Sequence, residues 1–139
     1  MPRTDLFVNF AITGDLAPFR IVAHDGAGGY VQAASSTAAL IGTTDELGKQ
    51  ANGGADVALN YMPEVEVGAA VKAGDPLTSD AQGRAVPATA AGSRIIGFAC
   101  KSAAEAGEII DYQFAPGFLG TAASGGSTQD SGQTEPQGE

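Results

Sequence analysis

Tryptophan is absent from this chain of 139 residues, and cysteine and histidine occur once each. A single cysteine excludes an intrachain disulfide. One histidine and one thiol also leave little material for nucleophilic or general acid–base catalysis, which needs a reactive group and a positioned partner. Gly-x-Ser-x-Gly, His-Glu-x-x-His and Cys-x-x-Cys patterns are all missing. Cations are scarce: 7 Lys and Arg stand against 16 Asp and Glu, for a formal net charge of −9. That balance argues against a nucleic-acid or anionic-membrane partner, both of which call for a basic face. The acidic residues are spread along the chain, as on a solvated surface. No apolar run approaches the roughly 20 residues of a membrane-spanning helix, and Met1–Asp5 lacks the apolar segment of a secretory signal. The expectation is a soluble protein made in a cytosol, alone or within a larger assembly.

Aromatic residues are few as well, at 6%. Much of the apolar content is alanine, so the core is thin at roughly 25 cal/mol per Å2 buried. A domain of this kind gains stability by burying further surface against a copy of itself or another protein.

What the chain does contain is a self-match. Asp25-Gly26-Ala27-Gly28-Gly29-Tyr30-Val31 is followed by Leu40-Ile41-Gly42, and Asp80-Ala81-Gln82-Gly83-Arg84-Ala85-Val86 by Ile95-Ile96-Gly97. Each residue of the second set lies 55 positions after its counterpart, as Asp80 follows Asp25. A shift of two residues then extends the match, pairing Gly54 with Gly107, Val57 with Ile110 and Leu59 with Tyr112. A fixed-period repeat dictates architecture; here it implies two similar β-units.

Short alternating segments separated by glycine-bearing turns, with no long 3.6-residue period, indicate an all-β fold. The expected form is a compact antiparallel β-barrel or sandwich built from two pseudo-repeated β-units, with an extended N-terminal arm and a low-complexity C-terminal tail. The divisions are an arm over 1–18, a β-domain over 19–116 with pseudo-repeats at about 19–63 and 71–116, and a Gly/Ser/Thr/Gln-rich tail over 117–139. In the arm, Leu6, Val8, Phe10 and Ile12 alternate with Asp5, Phe7, Asn9 and Ala11, so both faces carry apolar bulk. Ser102–Ala106 suits a single helical turn closed by Gly107. The tail has almost nothing to bury and is expected to be disordered on its own.

Candidate chemistry is sparse. His24 ends a strand beside a hairpin loop, a structural position. Cys100 closes the apolar run Ile95–Cys100 and reads as a small core thiol. Gly26–Gly29 opens into a strand, so it lacks the helix N-terminus of a phosphate loop. Glu64 and Glu66 share a strand face opposite Val65 and Val67, as a solvent-facing row. Asp45-Glu46 offers too few oxygens for a calcium loop. No catalytic, cofactor-binding or metal-ligating residue is assigned. The stretch Val67–Leu77 is similar to turns in biotinyl and lipoyl carrier domains. In those domains the modified lysine sits at a hairpin tip, whereas here Lys72 precedes a turn and the hairpins at 25–29 and 80–83 carry no lysine. A carrier or small-ligand-binding β-domain is the alternative reading.

The order Val71-Lys72-Ala73-Gly74-Asp75-Pro76-Leu77-Thr78, Asp80, Gly83–Ala88, Ile95–Ala99 and Ala106-Gly107-Glu108 resembles the tailed-bacteriophage capsid cement, or head decoration, family. Gly28, Val31–Ala34 and Ile41-Gly42 match it more loosely in the first unit. The resemblance implies a non-enzymatic virion protein that binds the outer surface of the head. It further implies a homotrimer, with the major capsid protein as partner, that stabilises the shell by bridging its subunits. On that basis Leu6, Phe7, Val8 and Phe10 are the expected capsid or subunit contacts. Gly28, Gly42, Gly74, Asp75, Pro76, Gly83, Gly97 and Gly107 are the expected structural turns of the motif.

Overall fold

The computed structural model describes residues 6–120, all of them β-strand, turn or irregular segment without helix. Ten strands occur: β1 Phe7–Ala11, β2 Ile21–His24, β3 Tyr30–Gln32, β4 Ala39–Thr44, β5 Gly54–Ala58, β6 Glu64–Glu66, β7 Pro76–Ser79, β8 Ala85–Pro87, β9 Arg94–Ala99 and β10 Ile109–Phe118. They form two five-stranded antiparallel sheets, ordered β1-β5-β4-β2-β3 and β6-β10-β9-β7-β8. The arrangement is a sandwich of two sheets rather than a single closed barrel.

The second sheet repeats the first strand for strand, and the register repeats residue for residue. Phe10 pairs with Ala55 and Val65 with Ile110; Thr44 pairs with Val57 and Ala99 with Tyr112; Val22 pairs with Gly42 and Leu77 with Gly97. The isolated parallel bridges Ile12–Tyr30 and Val67–Ala85 are related in the same way. Every one of these pairs is displaced by 55. The two-residue shift read from the sequence therefore does not exist in the fold: Val57 corresponds to Tyr112 and Leu59 to Phe114. Strand periodicity could not reveal this, because moving a strand by two leaves every side chain on the same face.

Residues 7–11, expected as part of an arm, form an edge strand of the first sheet, and Ile12 is buried beside them. Residues 117 and 118, expected in the tail, complete β10 opposite Ile95 and Arg94 after a register shift. Residues 1–5 of the expected arm and 121–139 of the expected tail lie outside the described residues. Ser102–Ala106 forms bends rather than a helical turn: Ala103 bridges to Val71, and the Glu108 carboxylate accepts the N–H groups of Ala104 and Glu105.

Asp25 and Asp80 shape the hairpins that open each repeat. Oδ1 of Asp25 accepts the N–H of Ala27 and Gly29, and Oδ1 of Asp80 accepts those of Gln82 and Arg84. The β2–β4 register shifts beside Gly42 and the β9–β10 register beside Gly97, and at each of these glycines a Cβ would collide with a carbonyl oxygen, that of Ala58 or of Gln113. Only glycine fits where a neighbouring backbone comes this close.

The cores differ. One face of the first sheet buries Ile12, Leu16, Val22, Ala55 and Val57, with Phe10, Tyr30, Ile41 and Leu59 half-buried against them. The opposite face offers Ile21, Ala23 and Leu40, which join Val65, Leu77, Ile96, Ile110 and Tyr112 of the second sheet in the larger core. A buried hydrogen bond of 2.9 Å between Thr43 Oγ1 and the Tyr112 hydroxyl crosses this contact.

Candidate docking interface

Polar groups seal one side of the contact between the sheets. The N–H of Glu66 donates to Phe19 O at 3.0 Å. The Glu66 carboxylate lies 3.4 Å from Arg20 Nη2 and 3.8 Å from Arg84 Nη1, and Arg84 Nε lies 3.3 Å from Asp80. Glu66 is thus an anchor between the two halves, where the sequence suggested a solvent-facing residue. The segment Phe19–Arg20 covers the outer edge of β6 at this point.

No such cover lies over β1 among the described residues. Hydrogen bonds from Leu59 N–H to Leu6 O and from Ile12 N–H to Gly53 O bracket the β1–β5 ladder. Hydrogen-bonded and non-hydrogen-bonded pairs alternate in an antiparallel ladder, so Val8 and Phe10 turn their backbone groups toward β5. Phe7 and Asn9 turn both N–H and C=O outward, and the Ala11 N–H follows. The edge ends where Thr13 N–H donates to Tyr30 O.

The four expected contact residues are brought together on or beside this edge, in different environments. Leu6 is 55% exposed and Phe7 40%. Val8 is half-buried, and Phe10 packs on the first-sheet core with its ring centroid 4.5 Å from that of Tyr30. Phe7 also lines a cavity of about 170 Å3 with Phe19, Thr44, Ala58 and Pro63, whose rim carries Asp45, Glu46 and Glu64. None of these three carboxylates is ion-paired among the described residues.

The expected turn residues are distributed through the scaffold. Gly28 and Gly83 lie in the opening hairpins, Gly42 and Gly97 at the irregularities, and Gly107 in the turn before β10. Gly74 and Asp75 form the turn before β7, which Pro76 begins; Asp75 Oδ2 accepts the Lys72 N–H. Lys72 itself is exposed in that turn. Asp25 has its carboxyl held below the ordinary aspartate value by the N–H groups of Ala27 and Gly29.

Sequence reasoning missed other exposed apolar side chains, notably Tyr61, Met62, Phe98 and Phe118. Tyr61 and Met62 lie 55 positions after Leu6 and Phe7, so the repeat itself, carried to its first residues, would have flagged them. Phe118 stacks under the Arg94 guanidinium at 4.6 Å. Cys100, expected in the core, is exposed one residue beyond β9. His24 is exposed at the end of β2, its ring 5.3 Å from that of Tyr30. Among the described residues no group of three or more His, Cys, Asp or Glu is placed to hold a metal ion.

No protein-family model matches the chain, and no curated protein matches it. Among solved structures the fold is shared with the head fiber gp8.5 N base of bacteriophage phi29. The two are 20% identical with a TM-score of 0.55, over 79% of this chain and 93% of the other.

Proposed function

We propose that this chain is a phage head decoration protein. It binds the outer surface of the capsid, takes the major capsid protein as partner, and stabilises the shell by bridging neighbouring subunits, with three copies acting together. The observation that carries the reading is the shared fold: almost the whole base of a head fiber superposes on these two sheets. The order of motifs from Val71 to Glu108 resembles the cement family and supports the same role independently. The β1 edge, uncovered among the described residues, supplies a contact surface with Leu6 and Phe7, whereas His24 packs beside the Tyr30 ring and lies far in the sequence from the exposed Cys100. A shell-binding protein needs surface rather than chemistry, and an acidic exterior suits a face turned away from packaged DNA.

Co-sedimentation with emptied heads of the encoding phage tests this. The protein should pellet with heads in a fixed ratio to capsid subunits and raise their disruption temperature. Failure to pellet with heads would refute it.

A further inference from the structure

We infer that the β1 edge receives an extended segment of the partner, in which an apolar side chain enters the Phe7 cavity and a neighbouring lysine or arginine meets its acidic rim. The inference deepens the decoration reading by naming what part of the shell protein docks; its geometric basis belongs to this chain alone.

Three observations converge on one strip of surface. First, Phe7 and Asn9 present N–H and C=O groups outward that have no partner among the described residues, with the Ala11 N–H beyond them, on a strand whose other edge is fully engaged with β5. Such an edge is a template for strand addition. The equivalent edge at Glu66 is already occupied by Phe19 O, so the same molecule shows how this edge accepts a hydrogen-bonding partner. Second, the cavity beside Phe7 measures about 170 Å3 and is walled by Phe19, Ala58 and Pro63; a cavity of about 150 Å3 admits a benzene ring. It has room for one leucine-sized side chain. Third, Asp45, Glu46 and Glu64 stand at the rim without a cation among the described residues. Uncompensated carboxylates beside an apolar hole select a cation next to the anchor, through complementary charge. Main-chain bonds give affinity, the cavity gives register, and the rim gives sign.

The test uses the full chain and two synthetic strand peptides. Both are capped heptapeptides with a central leucine and intervening threonines; one ends in lysines and the other in glutamates. In the free protein, the amides of Phe7, Asn9 and Ala11 should exchange with solvent far faster than those of Val8 and Phe10. The lysine peptide should protect them and bind about tenfold tighter than the glutamate peptide. Combining Asp45→Asn, Glu46→Gln and Glu64→Gln should abolish that preference. Asn9→Pro removes an outward N–H on an edge strand, where proline is tolerated. It should keep the fold, checked by its circular dichroism and unfolding midpoint, and lose peptide and head binding alike. Asn9→Ala serves as a second variant and should bind both normally.

Peptide shifts confined to another surface would overturn the inference, as would equal affinity for the two peptides. So would protection of the three amides in the free protein, which would mean that residues 1–5 or 121–139 already hold the edge. If folded Asn9→Pro protein still decorates heads, the edge is not the contact while the decoration reading stands. If wild-type protein ignores heads yet takes the lysine peptide at β1, the edge stands and the decoration reading falls.

Discussion

The two sheets share one register but divide their bulk differently. In the first sheet the large interior side chains are Phe10 on β1 and Tyr30 on β3, opposite Ala55 and Val57 on β5. In the second sheet Val65 and Ala85 occupy the positions of those aromatics, and β10 carries Ile110, Tyr112 and Phe114 instead. The exchange has a consequence for packing. Small residues at 65 and 85 leave the second interior able to receive Ile21, Ala23 and Leu40 from the first sheet, and Tyr112 can reach Thr43. The first interior is filled by its own rings. One unit therefore serves as the cover and the other as the covered, although both follow the same plan.

The edges differ in the same sense. Ala11 in the first sheet corresponds to Glu66 in the second, and only Glu66 meets an arginine pair and a backbone carbonyl. The outer faces differ too. The row Ala58, Thr43 and Ile21 is buried between the sheets, while its counterpart Gln113, Phe98 and Pro76 faces outward. A repeated scaffold has thus been specialised by a handful of substitutions that decide which surfaces close within the chain and which stay open.

Truncating equivalent core positions should break the symmetry most strongly. Tyr112→Ala should cost about 4 kcal/mol, within the range for emptying a buried aromatic site, and Val57→Ala no more than about half of that. Denaturant titration measures both, and equal losses would mean that the second sheet is not the one receiving its neighbour. Removing the anchor comes next. Glu66→Ala leaves Arg20 and Arg84 facing each other and should cost about 1 to 2 kcal/mol, since the three side chains are only 18 to 26% exposed. Ala11→Ser, at the matching position, should be close to neutral. Thr43→Val should cost about 1 kcal/mol through the lost bond to Tyr112, and a double-mutant cycle with Tyr112→Phe should show the two changes to be coupled.

The smallest effect concerns the hairpin aspartates. The Asp25 pKa is depressed in the folded chain by the Ala27 and Gly29 N–H groups. Its contribution is therefore present above the unfolded aspartate value and lost as pH falls through the lower folded value. Asp25→Asn should flatten the slope of stability against pH in that acidic window and lower neutral stability by the same small amount, leaving stability below the window nearly unchanged. An unchanged acidic slope would contradict the assignment.

Much of this architecture was legible from residues alone. Alternation located the strands, and the spacing of Asp25 and Asp80 announced the repeat, because turn aspartates and glycines have narrow geometric roles. The limits have physical causes. A two-residue misalignment leaves alternation intact, so Val57 looked equivalent to Ile110. An apolar run such as Ile95–Cys100 does not say which residues face inward, and in the fold Ile96 and Ala99 are buried while Phe98 and Cys100 are exposed. The apolar set Leu6–Phe10 was recognisable, but whether it forms an arm or an edge strand depends on a partner strand 47 residues beyond Asn9, at Asp56. The acidic cavity was invisible for the same reason: it joins Phe7, Asp45 and Glu64 from three distant segments.

The most direct test is a cryo-electron microscopy reconstruction of emptied phage heads saturated with this protein. The account predicts ordered two-sheet density on the outer capsid surface, bridging neighbouring subunits, with the β1 edge of each copy against a capsid strand. Heads that remain bare, or density that meets the shell only through the second sheet while β1 faces solvent, would contradict it.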